Sequence, residues 1–210
     1  MRRILFAIWA LAIGSLPLSA EPSSPNWQGW YAGIDGGWTN RNGDVTSSIT
    51  GAASATSSHG WETGLYGGYD WRSGPWVFGL ELDWTHSFIS DAHDDVDMFS
   101  GRGRAGFVIG NVLIYGTAGI ATENRFVYVR KTALGATELF SNEQQHTGLI
   151  AGGGLETVLA KNLTLRGEYL YFNGGREQYN FPAPAPFVST SPSSSFDQSI
   201  FRAGLTYHFN

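Results

Sequence analysis

The stretch Ile200-Phe201-Arg202-Ala203-Gly204-Leu205-Thr206-Tyr207-His208-Phe209 decides the fold. Successive side chains of an extended strand point to opposite faces. Phe201, Ala203, Leu205, Tyr207 and Phe209 therefore share an apolar, aromatic face, while Arg202, Gly204, Thr206 and His208 share the other. Trp76 to Phe88 repeats the pattern more cleanly, with Trp76, Phe78, Leu80, Leu82 and Trp84 set against Val77, Gly79, Glu81, Asp83 and Thr85. In a soluble barrel or sandwich the apolar face would turn inward and the acids and arginines outward. Here the charges recur on the face opposite the aromatics, strand after strand, which is the inside-out pattern of a transmembrane barrel. A soluble lipocalin-like carrier would need apolar residues where Arg102, Arg104, Arg166 and Arg202 stand.

Working outward from these two strands, the alternation divides the chain into eight: Gln28 to Trp38, Gly60 to Trp71, Trp76 to Phe88, Asp97 to Ile109, Val112 to Thr122, His146 to Leu159, Leu163 to Phe172 and Asp197 to Phe209. Their apolar faces begin and end on rings. Trp30, Trp38, Trp61, Trp71, Trp76, Trp84, Tyr169, Tyr171, Tyr207 and Phe209 are the expected aromatic girdle, placed where water meets lipid. In the fifth strand the face assigned to lipid is Leu113, Tyr115, Thr117, Gly119 and Ala121, although Ile114 and Ile120 make its other face apolar too.

Connection lengths supply independent support. The turns Arg72 to Pro75, Gly110-Asn111 and Ala160 to Asn162 span only a few residues. Those at Thr39 to His59, Ile89 to Val96, Glu123 to Gln145 and Asn173 to Phe196 read as longer loops. Short turns alternating with longer loops are expected of a bacterial outer-membrane barrel, whose long loops face outside and whose turns face the periplasm. The fold class is thus all-β: an eight-stranded antiparallel transmembrane β-barrel with four long extracellular loops and short periplasmic turns. Residues 1–20, with Arg2-Arg3, the apolar run Ile4 to Ile13 and the small residues Ser19-Ala20, read as a cleaved signal peptide. Residues 21–27 form a periplasmic lead and 28–210 the barrel. With no Cys among 210 residues, thiol catalysis and Cys-based metal sites are excluded. The net charge of -5 argues against nucleic acid as a partner.

The face turned to the bore holds Asp35, Glu62, Asp70, Glu81, Asp83, Glu156 and Glu168 with Arg102, Arg104, Arg166 and Arg202. Eight strands enclose a space that side chains fill. The expected outcome is a charge network of Glu62, Glu81, Asp83, Arg102, Arg104, Glu156, Arg166, Glu168 and Arg202 that plugs the bore. Glu81 and Asp83 share one strand face as the acids of a hydrolase could, but arginines compete for both and nothing shapes a pocket. The acidic stretch with Asp91, His93, Asp94 and Asp95 lacks the ligand spacing of a calcium loop. No catalytic residue, metal or cofactor is assigned.

Several segments, taken in order, carry a resemblance: Trp27-Gln28-Gly29-Trp30-Tyr31-Ala32-Gly33, Phe78 to Asp83, Gly101 to Gly106, Tyr115 to Gly119, Gly152 to Glu156, Arg166 to Tyr171 and Arg202 to Phe209. Together they resemble the small outer-membrane immunogenic proteins of alphaproteobacteria, within the OmpA-like β-barrel porin family. The resemblance implies insertion by the outer-membrane assembly machinery through a C-terminal aromatic strand, here Phe201, Leu205, Tyr207 and Phe209. Asn210 departs from it, since such strands usually end on the aromatic. It further implies no enzyme but a role in envelope integrity and surface interaction, amid outer-membrane lipid and lipopolysaccharide, with a host-surface or small-molecule ligand at the loops. A narrow porin-like channel or a haem receptor using His59, His93 and His146 is the alternative. A lipid-modifying enzyme would need a nucleophile and a histidine on the lipid face, whereas Thr206 and His208 face the bore.

Overall fold

The computed structural model describes residues 26–46, 53–89, 96–133, 136–178 and 193–209. The residues read as a signal peptide, most of those read as the lead, the acidic residues Asp91 to Asp95, most of the Pro- and Ser-rich segment and Asn210 lie outside them. Eight strands follow one another: β1 Gly29–Thr46, β2 Ala53–Ser73, β3 Trp76–Ile89, β4 Val96–Ile109, β5 Val112–Ala133, β6 Ala136–Ala160, β7 Leu163–Gln178 and β8 Ser193–His208. Each pairs antiparallel with its neighbours, and β1 pairs with β8 to close the barrel. The closing seam joins Trp38 to Phe201 and Ala32 to Tyr207, and Phe209 N donates to Trp30 O at 2.9 Å. Closure leaves no free sheet edge, which is what allows a sheet to sit in hydrocarbon.

The strands run past the boundaries expected from the sequence. Thr39 to Thr46 and Ala53 to His59, read as loop, continue the β1–β2 ladder to Thr46↔Ala53, and β5–β6 pairs without interruption from Val112↔Thr157 to Ala133↔Ala136. Part of the fourth expected loop is likewise paired, with Arg176, Glu177 and Gln178 opposite Ser195, Ser194 and Ser193. The cause is visible on the outer face. Beyond the row Trp38, Trp61 and Phe201, the outward residues become Asn40, Asn42, His59, Ser57, Ser199 and Asp197. The outer face meets polar surroundings there, so the apolar alternation stops while backbone pairing continues.

At the opposite end the turns are tight. Gly74 and Gly110 take φ of 61° and 58°, a left-handed conformation that costs glycine little. Gly175, at φ 71°, sits where the β7–β8 register shifts between Asn173 and Arg176.

The expected facing holds on seven strands and fails on β5. Leu113, Tyr115, Thr117 and Ala121 are buried in the bore, whereas Ile114, Gly116, Ala118 and Ile120 are exposed on the outer face. A slip of one residue exchanges the faces completely. Leu113 belongs to an apolar cluster at the turn end, and Tyr115 reaches into the charged layer above it.

Candidate functional site

The bore is filled in layers. At the turn end Trp27, wholly buried although it precedes β1, packs with Val77, Leu113 and Tyr115 and meets the His208 ring edge-on at 5.5 Å. A residue that precedes β1 therefore joins the apolar cluster inside the bore. Toward the loop end a second apolar cluster joins Met98, Ala121, Ile150, Leu170, Phe172, Phe196 and Ile200. Above it Arg41 Nη2 donates to Glu123 Oε2 at 2.7 Å and to Gln198 Oε1 at 3.0 Å, and Gln198 Nε2 donates to Thr39 Oγ1 at 2.6 Å.

The charges lie between the two apolar clusters. Arg166 donates to Glu81 through Nη1 at 2.6 Å and Nη2 at 2.9 Å, and to Glu168 Oε1 at 2.5 Å. Arg102 pairs with Glu81 and reaches Glu168 Oε2 at 3.2 Å. Arg202 donates to Asp83 Oδ2 at 2.7 Å and to Glu168 Oε2 at 2.8 Å. Arg104 grips Asp70 with two donors and lies 3.4 Å from Glu156 Oε2, whose other oxygen accepts from Thr164 at 2.5 Å and lies 3.0 Å from His208 Nε2. Register explains part of this, because Glu81 faces Arg102 across β3–β4 and Glu168 faces Arg202 across β7–β8, whereas Glu156, opposite Arg166 across β6–β7, is bound by Arg104 and His208 instead. Eight of the nine residues expected in the network are joined by it. Glu62 is buried in the bore but has no ion pair or hydrogen bond among the described residues, and so departs from the expectation.

Three tyrosines that the charge pattern did not single out hold the guanidiniums in place. The phenol of Tyr31 lies over Gly68, that of Tyr66 over Gly33 and that of Tyr115 over Gly154. Arg104 stacks 4.2 Å from the Tyr31 ring centre, and Arg166 stacks 4.4 Å from Tyr66 and 5.4 Å from Tyr115. Their hydroxyls meet Glu81 and Glu168 at 2.9 Å and Thr206 at 2.7 Å. Each ring thus covers a bare glycine with one side and supports a cation with the other. The readable signal is an aromatic on the charged face of one strand beside a glycine on the next. Gly68→Ala would drive a methyl into the Tyr31 phenol and the Leu80 carbonyl. We expect a loss of about 1–3 kcal/mol in urea unfolding from lipid vesicles, typical of overpacking; unchanged stability would refute the sandwich.

Outside the bore the aromatics form two belts. Trp30 meets Tyr69 at 5.2 Å, Trp76 meets Phe107 at 5.1 Å and Tyr207 meets Phe209 at 5.2 Å, with Trp71 beside Tyr69, all toward the turn end. Toward the loop end Trp38 meets Trp61 at 5.0 Å and Tyr169 meets Phe201 at 4.7 Å, accompanied by Trp84 and Tyr171. Trp30 and Trp38 are eight positions apart on one face, a span of roughly 26 Å along the strand, which a tilted strand fits to the apolar band of a membrane.

The model of the "Outer membrane protein beta-barrel domain" family matches residues 7–209. The chain belongs to that family. This outer-membrane barrel is 26% identical to the 22 kDa outer membrane protein of Rhizobium leguminosarum bv. viciae, over 88% of its own length and 79% of the relative's. It is 27% identical to the 25 kDa outer-membrane immunogenic protein of Brucella melitensis, covering 92% and 84%. Among solved structures it is similar to Neisserial surface protein A, with a TM-score of 0.48 and 16% identity over 86% and 97% of the two chains. The outer membrane protease OmpT of Escherichia coli gives 0.52 and 9% over 90% and 99%, a likeness of fold alone. The barrel is an integral outer-membrane protein, and its lipid is the outer membrane's.

Among the described residues the remaining candidates do not assemble. Glu81 and Asp83 are occupied by arginines, which leaves neither poised as an acid or base. His59 stacks on Trp38 outside the barrel, His146 is buried against Phe196, and His93 lies outside the described residues. Thr206 and His208 are buried in the bore.

Proposed function

We propose that this outer-membrane barrel is a closed, non-enzymatic scaffold that supports envelope integrity and presents its loops for surface contact. The observation that carries this reading is the layering of the bore: paired guanidiniums and carboxylates between the Trp27 cluster and the Phe172 cluster. Ions crossing it would have to displace charge-assisted hydrogen bonds in a low-dielectric space. Reconstituted in a planar bilayer, the barrel is expected to give no steps of porin size; stable ion-selective steps would replace the plug with a channel. The Pro- and Ser-rich segment between β7 and β8 is the contact surface proposed from sequence, facing a host surface or small-molecule ligand, with lipopolysaccharide around the strands.

Phe201, Leu205, Tyr207 and Phe209 are proposed as the signal read by the assembly machinery. All four are exposed, three on the outer face of β8 and Phe209 just after it, where a partner chain could read them before closure. Phe209→Ala is expected to lower the folded fraction recovered from outer membranes more than deletion of Asn210 does. The reverse ranking would move the signal one residue on.

A further inference from the structure

Above the loop-end belt the outer wall of the barrel turns polar in an ordered way. Trp61, Trp38, Phe201 and Tyr169 stand side by side across β2, β1, β8 and β7, each opposite the next in register. Farther toward the loop end of the same strands, Ser57, Asn42, Asp197 and Asn173 make a second row in the same way. Four residues of strand rise roughly 13 Å, or about 10 Å along the membrane normal at the tilt of such strands. The second row therefore stands among headgroups, beyond the acyl chains.

A groove of about 470 Å³ opens on this row, within the size range of small-molecule sites. It lies where the β7–β8 register shifts between Asn173 and Arg176. Gly175, in its lining, has nothing within 4 Å of the place a Cβ would take. The polar groups around it are held in fixed orientations. Asn42 Oδ1 accepts from Ser57 Oγ at 3.2 Å, and Asn42 Nδ2 donates to Asp197 Oδ2 at 3.5 Å. Asn173 Oδ1 accepts from Gly175 N at 2.9 Å, which sets the plane of that amide and leaves its NH2 to donate elsewhere. Among the described residues no bond occupies that NH2, the second Asp197 oxygen, the Asp44 carboxylate or the Tyr171 hydroxyl. The Tyr171 ring, 40% exposed, lines the membrane side of the groove.

This lining sorts ligands by chemistry. It holds the carboxylates of Asp44 and Asp197 and no cation, so a phosphate or sulfate would meet repulsion. Its side chains are too polar for an acyl tail. A pyranose suits it, because sugar hydroxyls donate to carboxylates and accept from an amide NH2, while the C–H face of the ring packs on an aromatic face. We propose that this groove on the outer wall binds a sugar residue, uncharged or amino-substituted, with Asp44, Asp197 and Asn173 on its hydroxyls and Tyr171 against its ring. The site is built on the strand extensions, so it stands whether the bore is closed or conducting. Its depth admits two sources of the same chemistry, a saccharide of the surrounding outer leaflet and a glycan arriving from solution.

The test is saturation-transfer NMR on the barrel refolded in phosphocholine micelles, with glucose, N-acetylglucosamine, glucosamine and glucose 6-phosphate as probes. Saturable transfer to at least one of the first three is expected, with glucose 6-phosphate several-fold weaker than glucose. Asp197→Ala and Tyr171→Ala should each weaken binding several-fold while the heat-dependent gel shift of the folded barrel is kept. Thr122→Ala, on the outer wall of β5, should bind as the wild type does. Where Tyr171→Ala impairs folding, Asn173→Ala takes its place. No saturable transfer to any of these sugars, or Asp197→Ala binding at full strength, would overturn the site. So would glucose 6-phosphate binding as tightly as glucose, or sugar binding that required added calcium. Repeating the titration in vesicles with and without lipopolysaccharide separates the sources. Loss of free-sugar binding in its presence assigns the groove to the leaflet's own saccharide, and unchanged binding assigns it to a glycan from solution.

Discussion

Arg166→Met is expected to cost the barrel about 3–5 kcal/mol, the range for removing one member of a buried ion pair. The guanidinium lies within 2.6 Å of Glu81 and 2.5 Å of Glu168 and rests on the Tyr66 ring. Methionine replaces most of the side-chain length and none of the charge, so packing is largely kept while two acids lose a shared cation. Glu81 retains Arg102, and Glu168 retains Arg102 and Arg202. Those arginines would have to serve the same carboxylates with one cation fewer. The companion variant Arg166→Met with Glu81→Gln removes a negative charge along with the positive one. It should regain a substantial part of the loss, because the penalty lies in the orphaned charge more than in the missing bond. Urea unfolding in lipid vesicles, followed by the heat-dependent gel shift of folded barrels, measures both. A single variant within about 1 kcal/mol of wild type would show that the bore is wet enough to solvate the acids, since exposed pairs contribute no more than that.

How much of this was legible in the sequence follows from where each face of a strand lies. In β8, and in β3, one face meets hydrocarbon and the other meets charge, so Phe201, Leu205 and Tyr207 separate from Arg202 without ambiguity. The strand extensions are illegible for the converse reason: the outward residues Asn40, Asn42 and Ser57 are polar and exposed, so no apolar alternation marks the strand although the backbone pairing continues. Arg41 and Glu123 were missed with them, the first inside a Ser- and Gly-rich tract and the second at a strand end. In the bore the acids and arginines could be named but not matched. Pairing across strands depends on register, and contacts across the bore depend on the stagger that closes the barrel. Arg202 reaching Asp83 is such a contact, joining β8 to β3. Glu62 looked like one more acid of the set, and its isolation appears only when the arginines around it are seen to be engaged elsewhere.

The facing of β5 gives the sharpest test of the barrel as built. Ala118 is exposed on the outer face, paired with Gly103 on one side and Ala151 on the other. Gly103 in turn sits opposite Leu80, midway between Trp76 and Trp84 on β3. Ala118 therefore lies near the middle of the apolar band, where an arginine on the lipid face costs about 2–4 kcal/mol. Ala118→Arg is expected to lose that much in vesicle unfolding. The opposite facing, which the sequence favoured through Leu113, Tyr115 and Ala121, would turn residue 118 into the bore, where an added arginine would find surplus carboxylate and be tolerated. The ambiguity arose because Leu113 and Ala121 serve the two apolar layers inside the bore, so both faces of β5 are apolar for different reasons. A spectroscopic pair of variants separates the alternatives without relying on stability. The ring in Ala118→Trp should be quenched by brominated acyl chains, whereas that in Thr117→Trp, at a position 6% exposed inside the bore, should not. Quenching of residue 117 in place of 118 would turn β5 over and take Tyr115 away from Arg166 and Glu168.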